Sequence, residues 1–244
     1  MTDVDRLRAE SRTMRRFSAV IFDLDGVLWD GEPLYHEAFN IVLAPYGCHV
    51  SDDDYNQIIG HSVEYCWDWL RRRFDLAEPP DHFLSAYNET VLRLLQRAVE
   101  PLPGARRLIE ELRQRGVPIA IASASLREWV DATLRGLSLQ EAFSVTVSAS
   151  EVNDGKPAPD LFLAAAARLG VPPERCLAVE DTATGIAAAK AAGMFAIQLR
   201  AASTALPPLP EADLVLDSFA EFDLSLLEEP PRETGSAAQR QGEG

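Results

Sequence analysis

The sequence predicts an α/β fold: a Rossmann-like three-layer core with a mostly parallel sheet, plus an inserted all-helical cap domain. Two observations carry this. From about residue 105 onward, short apolar runs alternate with amphipathic stretches, the pattern of βαβ units and a parallel sheet. Between the first apolar run and that alternation, residues 31–101 hold helical periodicity and no convincing strand.

Taken in order, SAVIFDL is a short buried-strand run ending in polar residues. DGVLWDGEP follows, rich in turn residues. From Pro33 to about Gly47, Leu34, Ala38, Phe39, Val42 and Leu43 recur at helical spacing. Residues 52–59, 63–74 and 82–98 also read as helices. After Pro101-Leu-Pro-Gly the pattern changes. Residues 105–115 form a helix stopped by Gly116, and VPIAIAS is a strand. Helix 126–137 and strand SVTVSAS come next. Helix 160–169 stops at Gly170, CLAVE is a strand, and helix 185–192 stops at Gly193. MFAIQL and ADLVL are strands, and residues 219–227 read as a short helix. The predicted organisation is an N-terminal arm over 1–16, a core over 17–30 and 102–228, the helical cap over 31–101, and a disordered polar tail over 229–244.

Composition narrows the function. The chain has 23 basic and 38 acidic side chains, which disfavours nucleic acid as a partner, because backbone phosphates need a basic footprint. No apolar run reaches the roughly 20 residues that span a bilayer, so no membrane partner is expected. The charged start lacks the apolar stretch of a signal peptide. Cys48, Cys66 and Cys176 are odd in number and contain no CxxC pair, against a disulfide framework or structural zinc. These features imply a soluble cytoplasmic protein.

In a doubly wound sheet, ligands bind beyond the carboxyl ends of the strands. The first strand ends in Asp23-Leu24-Asp25-Gly26. Residues two apart on an extended chain point the same way, and two carboxylates that close are costly unless one is protonated or a cation lies between them. Mg²⁺, a hard cation with oxygen ligands, offsets that repulsion. The second strand ends in Ala122-Ser123-Ala124-Ser125, hydroxyls ahead of a helix start. The third is followed by Gly155-Lys156-Pro157, and the fourth by Glu180-Asp181-Thr182. Carboxylates, hydroxyls and one ammonium at consecutive strand ends suit phosphoryl transfer: a carboxylate nucleophile, a metal, and donors for the equatorial oxygens.

The segments VIFDLDGV, IASAS, GKPAPDLFLAAAARLG and VEDTATGIAAAKAAGM, in this order, resemble the haloacid dehalogenase superfamily. The likeness is to its β-phosphoglucomutase-like branch, with a helical cap inserted after the first motif. The resemblance implies a Mg²⁺-dependent phosphatase acting on a small phosphorylated metabolite, such as a sugar phosphate, through an aspartyl phosphate. It implies that Asp23 attacks phosphorus and that Asp25 acts as acid and then base. Mg²⁺ would be held by Asp23, the Asp25 carbonyl and Asp181, with Glu180 orienting a metal-bound water. Ser123 and the Ala124 amide would grip the phosphoryl group, and Lys156 would neutralise charge. Ser125 is a candidate phosphate ligand as well as a helix cap. His36 resembles a hinge-region histidine that contacts the acid/base. The likeness also suggests a monomer and a cap that closes on hinges near 29–33 and 98–103.

Other readings stay open at this point. A β-phosphoglucomutase-type mutase needs a cap cation for a second phosphate, but Val63 follows Gly60-His61-Ser62 at the matching place. A non-catalytic sugar-phosphate-binding protein would have lost Asp23, Asp25, Lys156 or Asp181. The run Asp52-Asp53-Asp54 reads as a solvated helix start, Arg71-Arg72-Arg73 as a solvated face, and Trp67 and Trp69 as cap packing.

Overall fold

The computed structural model describes residues 17–97, 99–202 and 207–227. The predicted arm and tail, together with Ala98, lie outside the described residues. A six-stranded sheet runs in the order β3-β2-β1-β4-β5-β6. Its strands are β1 (Ala19–Phe22), β2 (Ile119–Ala122), β3 (Val145–Val147), β4 (Cys176–Glu180), β5 (Phe195–Leu199) and β6 (Leu214–Leu216). All neighbouring pairs are parallel, with Phe22 in register with both Ile121 and Val179. The order reverses beside β1, so a crevice opens at the carboxyl ends of β1 and β4.

Alternation along the strands divides the core. Val20, Phe22, Ile119, Ile121, Leu177 and Val179 face one side. There they meet Leu108, Ile109 and Leu112 of a helix over Ala105–Gln114, and Val130 and Leu134 of one over Arg127–Gly136. Ala19, Ile21, Ala120, Ala122 and Ala178 face the other side. Their small side chains let the helices Asp160–Leu169 and Ala183–Ala191 pack closely, through Leu161, Phe162, Ile186 and Ala189. Each fully buried Leu, Ile or Phe contributes about 1.5–3 kcal/mol.

Between β1 and Leu102 the chain forms α1 (Glu32–Leu43), α2 (Asp52–Tyr55), α3 (Val63–Arg73) and α4 (Pro80–Leu95). The remaining helices in chain order are α5 (Ala105–Gln114), α6 (Arg127–Gly136), α7 (Asp160–Leu169) and α8 (Ala183–Ala191). An aromatic nucleus holds the inserted helices together. Phe39 stacks on Tyr87 at 4.3 Å and Trp67 on Phe83 at 4.9 Å. Trp67 is fully buried there. The two crossings between insertion and core touch, the Leu102 N–H donating to the Leu28 carbonyl at 2.8 Å. Among the described residues no helix is long and apolar enough to cross a membrane.

Three local expectations are corrected. The helix expected over 52–59 ends at Tyr55, because the following amides bond three residues back, Gln57 to Asp54 and Ile58 to Tyr55. Asp54 is buried rather than solvated: it forms a capping box with Ser51 and pairs with Arg73 at 2.7 Å. Residues 219–227 hold two short 3₁₀ turns, Phe219–Glu221 and Leu224–Leu226. Phe222 is extended, and the Asp223 carboxylate accepts from the Ser225 amide at 2.9 Å, starting a new turn in place of helix.

Candidate active site

β1 delivers Asp23 to the crevice, and its amide donates to the Val179 carbonyl at 2.9 Å, fixing it at the level of the β4 end. Lys156 reaches the same point from the loop after β3. Its ammonium donates to Asp23, to Glu180 at 2.6 Å and to the Ala122 carbonyl at 3.0 Å. All three side chains are buried, Lys156 to 6% side-chain exposure. Burial alone would lower the ammonium, but Asp23 and Glu180 beside it hold it above its ordinary value.

Glu180 closes β4 and is 1% exposed. One oxygen holds Lys156. The other accepts from the amides of Asp181 and Thr182 at 2.9 and 3.0 Å and from the Thr182 hydroxyl at 3.0 Å. Glu180 thus anchors Lys156 through one oxygen and the start of α8 through the other. Gly185 makes room for it, since a Cβ there would lie 1.9 Å from the Glu180 carboxyl carbon.

Asp181 lies over the turn after β1. A Cβ on Gly26 would meet its Oδ2 at 2.2 Å, and Gly26 also takes φ +77°, a conformation suited to glycine. Asp181 Oδ1 is buried without a hydrogen-bond partner. Burial, then Glu180 and Asp23, push the Asp181 carboxyl well above the usual carboxylate range. Burial raises Asp23 too, against the pull of Lys156. The pocket thus holds an excess of carboxylate over ammonium and one orphaned buried oxygen. A cation of oxygen preference fits this set.

No group of three or more His, Cys, Asp or Glu side chains is gathered as a ready-made cage among the described residues. Glu180 and Asp25 hold hydrogen bonds of their own. The remaining pair, Asp23 and Asp181, matches Mg²⁺, which is commonly held by one or two carboxylates with water and phosphate completing the shell.

Asp25 accepts two hydroxyl donors. The Tyr35 hydroxyl donates to its Oδ1 at 2.7 Å and the Ser125 hydroxyl to its Oδ2 at 3.0 Å. The turn 24–29 folds back so that Gly26 N–H bonds the Trp29 carbonyl at 2.8 Å, setting Trp29 beside it. Burial raises the Asp25 carboxyl, and the Tyr35 and Ser125 hydroxyls with the Lys156 charge oppose it only in part. A raised value suits a general acid.

The serine segment divides its tasks. Ser123 is 1% exposed and its hydroxyl accepts the Ser125 amide at 3.1 Å, while Ala124 is exposed. Ser125 is the member that touches Asp25. His36 is turned away from the pocket: its ring lies against the Val50 carbonyl at 2.7 Å and stacks on Tyr55 at 4.5 Å. The correction is one residue. Tyr35 shares the buried stripe of α1 with Ala38, Phe39 and Val42 and so faces Asp25, whereas His36 lies beside that stripe. Sequence reasoning missed Tyr35 and Trp129, whose ring stacks on Tyr35 at 5.6 Å; the position of Tyr35 on that stripe was the available signal.

A family model described as haloacid dehalogenase-like hydrolase matches residues 17–193. The chain is 33% identical over 176 residues to a phosphorylated carbohydrates phosphatase of Thermotoga maritima, covering 72% of this chain and 82% of that one. It is 31% identical to hexitol phosphatase B of Escherichia coli, covering 86% and 96% respectively. Among solved structures it is similar to CbbY from Rhodobacter sphaeroides in complex with phosphate. That match has a TM-score of 0.72 and 29% identity, and covers 84% of this chain and 96% of that one.

Proposed function

This chain belongs to the haloacid dehalogenase-like hydrolase family, and from that premise we propose a Mg²⁺-dependent phosphatase in which Asp23 is the covalent nucleophile. The protein is a phosphoric monoester hydrolase for a small phosphorylated metabolite. The observation that carries the mechanism is the buried Asp23–Lys156–Glu180 triad beside the orphaned Asp181 oxygen.

In this reading an Asp23 oxygen attacks phosphorus as the bond to the leaving oxygen breaks, and Asp25 gives that oxygen its proton. The aspartyl phosphate is then attacked by water, whose proton returns to Asp25, releasing phosphate and free Asp23. Lys156 favours the ionised form of Asp23 against burial and faces the equatorial oxygens. Ser123 and the Ala124 amide take the phosphoryl group, and Ser125 orients Asp25. Asp23, Asp181 and the Asp25 carbonyl would hold Mg²⁺, which supplies neutralisation of charge between nucleophile and phosphate.

The carbohydrate and hexitol phosphates named for two relatives support a sugar or polyol phosphate as substrate. Val63, where a mutase needs a cation, supports hydrolysis over mutase chemistry. Helices 32–95 form the cap in this reading. The free cysteines support a cytoplasmic site of action.

Asp23→Asn should remove hydrolysis of p-nitrophenyl phosphate by a factor on the order of 10³ or more, with the fold unchanged by circular dichroism. Retained activity would overturn the nucleophile. A panel of hexose, hexitol and nucleoside phosphates, read by phosphate release, would identify the substrate.

A further inference from the structure

Trp129 belongs to core helix α6, yet the inserted helices wrap it to 8% exposure. One ring face stacks on Tyr35 of α1 with planes 23° apart. Tyr87 of α4 packs against the ring at 6.0 Å. The indole N–H donates to Oδ1 of Asn88, also on α4. The Asn88 amide nitrogen in turn donates to Glu128 at 2.8 Å. One amide therefore bridges two consecutive residues in the first turn of α6. Its carbonyl meets a donor and its NH₂ meets a carboxylate, so only one orientation satisfies both.

We propose that Asn88 and Trp129 form a latch between α4 and α6 that seats Tyr35 against Asp25, making both positioning residues for the acid/base. The inference rests on the role proposed for Asp25. Moving the inserted helices off the core must break both Asn88 bonds and the Trp129–Tyr35 stack. The same motion withdraws the Tyr35 hydroxyl from Asp25. The chain beside Tyr35 and Asp25 is itself closely packed. A Cβ on Gly31 would lie 2.7 Å from the Tyr35 ring, 2.9 Å from the Trp29 ring and 3.0 Å from Asp25 Oδ1. The contact between the Asn88 amide and α6 is thus transmitted through two rings to one carboxyl.

The test is Asn88→Leu, which removes both hydrogen bonds at similar volume and good helix propensity. Two esters report on it: phenyl phosphate, whose leaving oxygen needs a proton, and p-nitrophenyl phosphate, whose phenolate leaves without one. The expected result is a fall of about tenfold or more in kcat/KM for phenyl phosphate, against at most about threefold for p-nitrophenyl phosphate. Tryptophan emission should shift to the red, and the shift should be absent in a Trp129→Phe background. Trp129→Phe keeps the stack and loses the donor, so it should move the ratio the same way. The double variant should be no worse than the more impaired single variant.

Unchanged emission in folded Asn88→Leu overturns the latch. A red shift with equal loss on both esters overturns the positioning role. Asp25→Asn on the same pair separates this from the premise, because equal losses there overturn the acid role of Asp25, while the emission result still decides the latch. Should Asn88→Leu not fold, Trp129→Phe carries the same comparison.

Discussion

Asp23 and Asp25 stand two residues apart and are given opposite surroundings. Asp23 is paired with an ammonium and Asp25 with neutral hydroxyls. Burial raises both carboxyls, and the ammonium bonded directly to Asp23 opposes that rise more strongly there than the hydroxyls do at Asp25. Asp25→Asn should lower kcat by a factor on the order of 10²–10⁴ on a sugar phosphate, measured by phosphate release. Asp181→Asn tests the cation site. It should raise the Mg²⁺ concentration giving half-maximal activity, and reduce the gain in Tm produced by added Mg²⁺. An unchanged Mg²⁺ titration would remove Asp181 from the metal site. At this scale the sequence was readable where chemistry is local, as in Asp23-x-Asp25 and Gly155-Lys156-Pro157. It failed for Trp129 because that contact joins residues far apart in the chain. It failed for His36 because a one-residue step on a helix turns the side chain through about 100°.

At the level of elements, the helix starts hold the site. The first turn of α8 packs on Glu180 through Gly185, and Glu180 holds Lys156. Gly185→Ala should cost about 1–3 kcal/mol by overpacking, seen in urea denaturation, and lower activity by more than that destabilisation explains. Wild-type activity in the folded variant would show that Lys156 does not depend on this support. The turn Ala149–Glu151 precedes the lysine loop and is pinned by Glu151. Burial alone would raise the Glu151 carboxyl. Arg127, the Ser148 amide and hydroxyl, and Arg168 outweigh it and hold the group at about 2. A carboxyl lowered on folding contributes stability above its unfolded value of 4.5, and that contribution is lost as pH falls toward 2. Wild type should therefore lose Tm faster than Glu151→Gln across this window, and the two curves should converge at its acid end. Parallel curves would refute it. The alternation of strands and helices was legible because parallel strands buried on both faces leave compact apolar runs. The end of α2 and the region 219–227 were not, because amides bonding three residues back and one Asp223 side chain decide them locally.

Across the whole molecule, the charge of −15 opposes the approach of a phosphate dianion to a site with a single central lysine. Salt screens such fields over about 10 Å at 0.1 M. With Mg²⁺ held constant, kcat/KM for a phosphate ester should rise by about two- to fivefold between 10 and 150 mM salt, as measured in initial rates. A fall with salt would mean that local positive potential governs encounter.

The bond from Leu102 to Leu28 has a further bearing on how such a molecule can change over generations. The chain departs from the core and returns to it at hydrogen-bonded neighbours. For the sheet, everything between them is one closed excursion. Lengthening such an excursion adds only about 0.6 kcal/mol of closure entropy per doubling. The inserted helices can therefore be lengthened or shortened at little cost to the sheet, while the strand ends stay in place.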